Sequence, residues 1–232
     1  MLRLGSKSLH CRSKALIAQA PSLLVEFFMV SSKKKGLVLL SGGIDSTVTL
    51  WWVLKKGWQL STLTFLYPGR KKRELWAMDK LCSKIKNKEN FKVTLPFIDF
   101  PRPEQEGYIP QKNLIYYGVA ASLAEKIGAH FVLGGHHKRD GQLFPDAEKK
   151  YLLELNRLIG SGTRSYRAVE LKFPFLKYSK EKIIQLGAQY GVPYEYTWSC
   201  SHDKAKHCWE CISCLERKNG FQKARILDPL LS

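Results

Sequence analysis

Acidic residues are scarce in this chain of 232 residues. Twenty Asp and Glu stand against 38 Lys and Arg, which leaves a net charge of +18 and a pI near 9.7. Such a balance favours polyanionic partners: nucleotides, RNA or acidic surfaces. A solvated lysine-rich surface gives the same balance, so charge alone names no partner. Long apolar runs are also missing. No stretch approaches the roughly 20 residues that a membrane helix needs, so no membrane partner is expected. Cysteine is rare outside one short segment, where only Cys11 and Cys82 occur. That distribution excludes a disulfide framework spread through a small secreted chain. No internal repeat and no low-complexity tract is present.

What is there suits a packed protein. Forty-four per cent of residues are hydrophobic, and the length suits one substantial domain with a small appendage. Residues 1–28 carry Arg3, Lys7, Arg12 and Lys14 against the single acid Glu26. A basic, acid-poor start of this kind is also seen in targeting segments. The apolar piece "SLLVEFF" is short, and no small-residue cleavage pattern follows it. The expectation is a basic extension over residues 1–35, outside the catalytic fold. A main domain over 36–196 and a cysteine-bearing region over 197–232 follow it.

Strand and helix patterns alternate along the main domain. "GLVLL" (36–40) is apolar without alternation, as in a strand covered on both faces. Thr47 to Lys55 predicts a helix ended by Gly57. Residues 60–67 predict a second strand, 73–86 a helix with Cys82 on its apolar face, and 91–100 a third strand. Residues 101–110 read as a loop. A helix is predicted over 113–129 and a strand over 130–135. A helix capped by Asp146 is predicted over 146–159, an extended segment over 168–175, and a helix over 179–191. This order argues for an α/β domain with a mainly parallel sheet and helices on both faces. Ligands of such sheets bind beyond the carboxyl ends of the strands. Both glycine turns, 41–43 and 134–135, fall there.

The first of these turns is "LVLLSGGIDSTVTL" (37–50). Ser41, Gly42 and Gly43 carry little side chain, so backbone N–H groups can face an anion. The helix that follows adds its positive end. The lysine of the common phosphate loop is absent, and Ile44 and Asp45 stand in that region. An acid beside a phosphate repels it unless a cation intervenes, which makes Asp45 a candidate Mg²⁺ ligand. The plainer alternative is a Gly-Gly turn with Asp45 and Ser46 as helix caps. "SGGIDS" resembles the PP-loop of the N-type ATP pyrophosphatases, which cleave ATP between the α and β phosphates and leave an adenylated substrate.

The second feature is "CSHDKAKHCWECISCLERKNGF". Cys200, Cys208, Cys211 and Cys214 have the spacing of a closed tetrahedral structural Zn²⁺ site, one ion per chain. An iron–sulfur cluster fits the same spacing. The four crowded thiols point to a reducing compartment, and a cytoplasmic location is expected. His202 and His207 are surplus to four cysteine ligands and are expected at the surface.

Together the two features resemble the 7-cyano-7-deazaguanine synthase (QueC) family. Cys214, Arg217, Gly220 and Phe221 match its Cys-x-x-Arg-x-x-Gly-Phe ending. "NLIYYGVAASLAEKIGAHFVLGG" and "DGQLFPDA" resemble two further segments, and the likeness runs from about Gly36 to Phe221. It implies a Rossmann-like fold of the adenine nucleotide alpha hydrolase type with a small zinc-binding helical region. It also implies a ligase that forms a carbon–nitrogen bond. ATP, as its Mg²⁺ complex, would adenylate the carboxylate of 7-carboxy-7-deazaguanine, and ammonia would displace AMP to give an amide. A second ATP would activate the amide for elimination to the nitrile, a precursor of queuosine and archaeosine. Zinc would brace the tail. Leu39, Leu40, Ser41, Gly42, Gly43, Ile44, Asp45 and Ser46 would hold ATP and pyrophosphate, with Arg70 and Lys71 nearby. Asp45 and Ser46 would be catalytic. Lys112, Asn113, Gly134, Gly135, Asp140 and Asp146 would meet the substrate.

Three departures stand out. The family's Tyr-x-Gln-x-His is Tyr67-Pro68-Gly69-Arg70-Lys71 here, Lys112 stands where Arg is usual, and Pro-Asp-Cys becomes Pro145-Asp146-Ala147. Arg70 to Arg73 are all basic, which suits a triphosphate as well as a solvated helix start. The alternatives are a variant that stops at the amide or joins the base to another amine, and a PP-loop tRNA-modifying enzyme. A non-catalytic zinc-knuckle module for nucleic acid is the third. Nucleic acid is therefore allowed as a partner but not required, and a homodimer is left open.

Overall fold

The structure is a computed structural model that describes residues 33–85, 89–97 and 109–231. Most of the expected N-terminal extension, Cys11 and nearly all of the loop expected at 101–110 lie outside these residues. Lys33–Ser232 form one compact unit, so the cysteine segment packs with the sheet domain.

Five parallel strands make one sheet: β1 (Lys35–Leu39), β2 (Gln59–Leu66), β3 (Glu89–Thr94), β4 (Phe131–Leu133) and β5 (Glu170–Lys172). Their spatial order is β3-β2-β1-β4-β5. The chain winds outward from β1 to β3, then returns to the other side of β1 for β4 and β5. The carboxyl ends of β1 and β4 thus frame the switch point, where a crevice opens. Both glycine turns leave the sheet there.

Successive strand residues face opposite sides. Val38 and Leu40 meet Leu50 and Val53 of α1 (Ile44–Lys55) and Met78 of α2 (Lys72–Ser83). Leu37 meets the other layer, with Tyr117, Ala120 and Ala124 of α3 (Lys112–Lys126). The short α4 (Asp140–Leu143) precedes α5 (Lys149–Gly162), whose Leu152 and Leu155 complete that layer. α6 (Lys180–Tyr190) and α7 (Ile212–Ala224) pack on α1 through Val48, Ile183, Ile184 and Phe221.

Several boundaries differ from expectation. α1 begins at Ile44 rather than Thr47, because Gly43 takes the extended N-cap position (φ −80°, ψ 168°). Asp45 and Ser46 therefore sit inside the first turn and are not its caps. β3 ends at Thr94 and β5 spans only three residues; Pro174 offers no N–H to extend β5. α5 starts at Lys149, because Pro145–Ala147 form a 3₁₀ turn. Asp146 does not cap α5. It caps α3 across the fold, where its Oδ2 accepts the Asn113 backbone N–H at 2.9 Å.

The C-terminal region is tied by one buried ion pair. Arg217 donates to Asp228 through Nε (2.7 Å) and a second nitrogen (2.8 Å), and to Thr197 Oγ1 (2.7 Å). Both charged side chains are fully buried. Removing one partner strands the other charge in a dry interior, whereas removing both does not. Arg217→Leu should therefore lose about 3–5 kcal/mol of stability, and Arg217→Leu with Asp228→Leu should recover much of it. Urea unfolding of the two variants measures the difference.

Candidate active site

The loop after β1 is held mainly by its own hydroxyls. Ser46 Oγ donates to the Gly43 carbonyl (3.1 Å), lies 2.9 Å from Ser41 Oγ, and accepts the Ser41 N–H (3.2 Å). Gly42 has φ +87°, and a Cβ there would lie 2.8 Å from the Glu74 carbonyl. The second glycine turn presses on the first. A Cβ on Gly135 would lie 2.8 Å from both Asp45 C and Ser46 N. A Cβ on Gly134 would overlap the Tyr117 hydroxyl. Gly134 and Gly135 thus serve close packing, which brings β4 against the start of α1.

Asp45 Oδ2 accepts a bond from Lys180 Nζ at 2.6 Å, while its Oδ1 is buried without a partner. Such an orphaned oxygen is costly unless a cation or donor meets it. Glu216 lies 4.0 Å from the same ammonium. Burial opposes the charge on Lys180, but Asp45 and Glu216 outweigh it and raise its pKa. The network continues from Glu216 to His137 (3.6 Å) and from His137 to Asp140 (3.5 Å). Burial pushes the Asp140 carboxyl up, yet His136 and His137 prevail and bring it to about 2. Lys180 and Glu216 were missed from sequence. A lysine in the first turn of α6 opposes the helix dipole, and that was the available signal.

One cavity opens beside this loop, and a second meets it at Lys112. The larger, about 240 Å³, is lined by Leu39, Leu40, Ser41, Gly43, Tyr67, Arg70, Glu74, Lys112, Tyr116 and Trp198, among others. The smaller, about 140 Å³, is lined by Ile109, Lys112, Asn113, His136, Asp140, Phe144, Asp146 and Ala147. Ile44 lines neither; it anchors α1 in the core beside Ile183. Arg70 is tied into the scaffold, donating to Ser41 O at 3.0 Å and to Phe65 O, and pairing with Glu74. Lys71 takes the N-cap position of α2. Burial raises the pKa of Glu74 against the pull of Arg70. It lowers that of Lys112 against Asp146, Asp140 and Glu74. Asn113 and Asp146 are locked to each other, since Asn113 Nδ2 also donates to Asp146 O at 3.0 Å.

The four cysteine sulfurs converge. Those of Cys200, Cys208, Cys211 and Cys214 all lie within 4.8 Å of one another, and they can hold a metal ion. Cys200 and Cys208 are 3.6 Å apart, Cys208 and Cys214 3.9 Å. A tetrahedral site with metal–sulfur bonds of about 2.3 Å requires about 3.8 Å between sulfurs. Backbone N–H groups of Glu210 and Cys211 favour the thiolate of Cys208, whose pKa falls to about 5. His202 is exposed, as expected, but His207 is not. It is buried between Trp198 and Trp209, and its Nε2 accepts the Ser199 N–H at 3.0 Å. Cys82 is half-buried against the core around Met78, in line with a packing role. The knuckle reaches the glycine loop directly, for the Trp198 N–H donates to Gly42 O at 2.9 Å.

A parallel sheet whose Ser-Gly-Gly-x-Asp-Ser turn lies at the switch point places the protein in the PP-loop class of folds. Solved structures agree on the fold. NMN synthetase from Francisella tularensis matches with a TM-score of 0.50 at 13% identity, over 88% of this chain and 82% of that one. A 4-thiouridine synthetase solved with RNA and ATP matches at 0.52 and 18%, over 83% of this chain and 50% of that one. Within that class, the model of the queuosine biosynthesis protein QueC matches residues 35–100 and 101–225, and the chain belongs to the QueC family. The 7-cyano-7-deazaguanine synthase of a Nitratiruptor species is 32% identical over 84% of this chain and 97% of its own length. That of Archaeoglobus fulgidus is 32% identical over 85% and 90%.

Two outcomes are expected. Cys208→Ser should lower bound metal, measured by elemental mass spectrometry. Metal loss should also lower the thermal midpoint by about 10 °C and weaken ATP binding, because Trp198 holds the loop. The depressed Asp140 carboxyl gives stability that is present above pH 4 and lost as the pH falls towards 2. Wild type should lose about 2 kcal/mol across that window that Asp140→Asn does not lose, as read by urea unfolding at each pH.

Proposed function

We propose that the protein converts 7-carboxy-7-deazaguanine and ammonia to 7-cyano-7-deazaguanine at the expense of ATP. The observation that carries this reading is a cavity lined by Ser41 and Gly43 of the glycine loop, joined through Lys112 to a second cavity lined by His136, Asp140 and Asp146. Ser41 to Ser46 bind the leaving pyrophosphate, and the larger cavity takes the rest of the nucleotide. Gly134, Gly135, Lys112, Asp140 and Asp146 shape the acceptor side, where Asn113 and Asp146 serve by fixing the start of α3. An acceptor carboxylate oxygen attacks the α-phosphorus, the bond to the bridging oxygen breaks, and pyrophosphate leaves with the electron pair. Ammonia then displaces AMP from the acyl carbon and sheds a proton. Asp45 fits a divalent cation through its unpartnered Oδ1. Mg²⁺ held there would neutralise charge on the phosphates. Lys180 keeps the other oxygen of Asp45 in place. Cys200, Cys208, Cys211 and Cys214 would hold Zn²⁺ as a closed structural site, which would brace the loop through Trp198. Reduced thiolates of this kind suit the cytoplasm.

A second reading, release of the amide, is favoured by one feature. Arg70 occupies the segment where the family carries Gln and His, and it is tied to Ser41 and Phe65. Incubation with Mg-ATP, ammonium and 7-carboxy-7-deazaguanine, followed by mass spectrometry, separates the two. Nitrile, AMP and pyrophosphate are expected; amide without nitrile supports the second reading, and no AMP defeats both. Asp45→Asn should cut AMP release about a hundredfold or more while leaving zinc content unchanged; unaltered turnover would refute the role given to Asp45.

A further inference from the structure

Among the described residues, Lys112 alone lines both cavities. It stands in the wall between the nucleotide side, with Ser41 and Tyr116, and the acceptor side, with His136 and Asp140. Its position is over-determined. Gln111 before it takes a left-handed conformation (φ +54°), which a non-glycine residue adopts only under constraint. The Gln111 side chain accepts a bond from the Tyr151 hydroxyl at 2.7 Å. Asn113 after it is clamped twice by Asp146. Among the described residues no oxygen accepts a hydrogen bond from the Lys112 ammonium, which lies over the Phe144 ring at 5.9 Å. Lys112 is half-buried, and its ammonium is placed to meet an anionic ligand in either cavity.

We infer that Lys112 is a catalytic residue shared by the two subsites: its ammonium binds the acceptor carboxylate on one side and an α-phosphate oxygen of ATP on the other. This rests on the adenylation reading above. Two anions that must react repel each other, and a cation between them lowers the barrier most where charge is shared in the transition state. No proton moves in the step. One acceptor oxygen forms the new bond to phosphorus, and pyrophosphate carries away the old bonding pair. Burial disfavours the ammonium when the site is empty, and its pKa is accordingly lowered. Either anion favours the charged form of the ammonium.

Exchange of labelled pyrophosphate into ATP, dependent on 7-carboxy-7-deazaguanine, tests the role. ATP affinity is measured separately by titration. Lys112→Met should weaken ATP binding by no more than about tenfold and lose exchange by about a hundredfold or more, well beyond the loss of affinity. Lys112→Arg should recover part of the exchange, because it keeps the charge with a different fork geometry. Circular dichroism and the thermal midpoint check that each variant is folded. Exchange retained by Lys112→Met within about threefold overturns the inference. So does a loss of exchange fully explained by lost ATP binding. Absence of acceptor-dependent exchange in wild type instead removes the adenylation reading itself, and this inference with it.

Discussion

A loop built from serine and glycine has only short hydroxyl side chains with which to hold itself in place. Those hydroxyls tie it internally, and further support comes from outside. Here it is gripped on three sides. Gly135 presses on the backbone of Asp45 and Ser46, Arg70 takes the Ser41 carbonyl, and the Trp198 N–H takes the Gly42 carbonyl. Each grip belongs to a different part of the chain, and each would fail if its neighbours moved by an ångström. The sheet, the helix after β2 and the cysteine knuckle are in this sense the outer wall of one small loop.

That view changes the meaning of the cysteine cluster. Four sulfurs within 4.8 Å of one another cannot all be thiolates without a cation among them. A bound ion would turn mutual repulsion into a rigid corner, and Trp198 would carry that corner to the glycine loop. Arg217 completes the arrangement. It belongs to the same short motif as Cys214 but faces the interior, where Asp228, Thr197 and Tyr194 take its donors. A motif that looks devoted to metal is half devoted to docking the tail.

The strands around the switch point were legible because apolar runs without alternation are rare outside buried parallel sheets. The glycine loop and the cysteine ligands were legible because their chemistry is local in sequence. Lys180 and Glu216 were not, since their partners come from distant elements, and no periodicity announces the burial of His207 between Trp198 and Trp209. Asp146 shows the same limit from the other side. Its type suited a helix cap, and it is one, but for α3 rather than for the helix it precedes. The bounds of β3 and β5 failed where proline and sheet edges decide the length.

The tether from Trp198 to Gly42 joins residues near opposite ends of the described chain. During synthesis the glycine loop emerges well before Trp198, its last support, and before the Asp228 partner of Arg217. A nascent chain therefore carries the loop's sequence long before it can carry the loop's shape. The loop takes its finished shape only after the segment around Trp198 has been made and has folded onto it, so the later segment acts as a checkpoint on the earlier one.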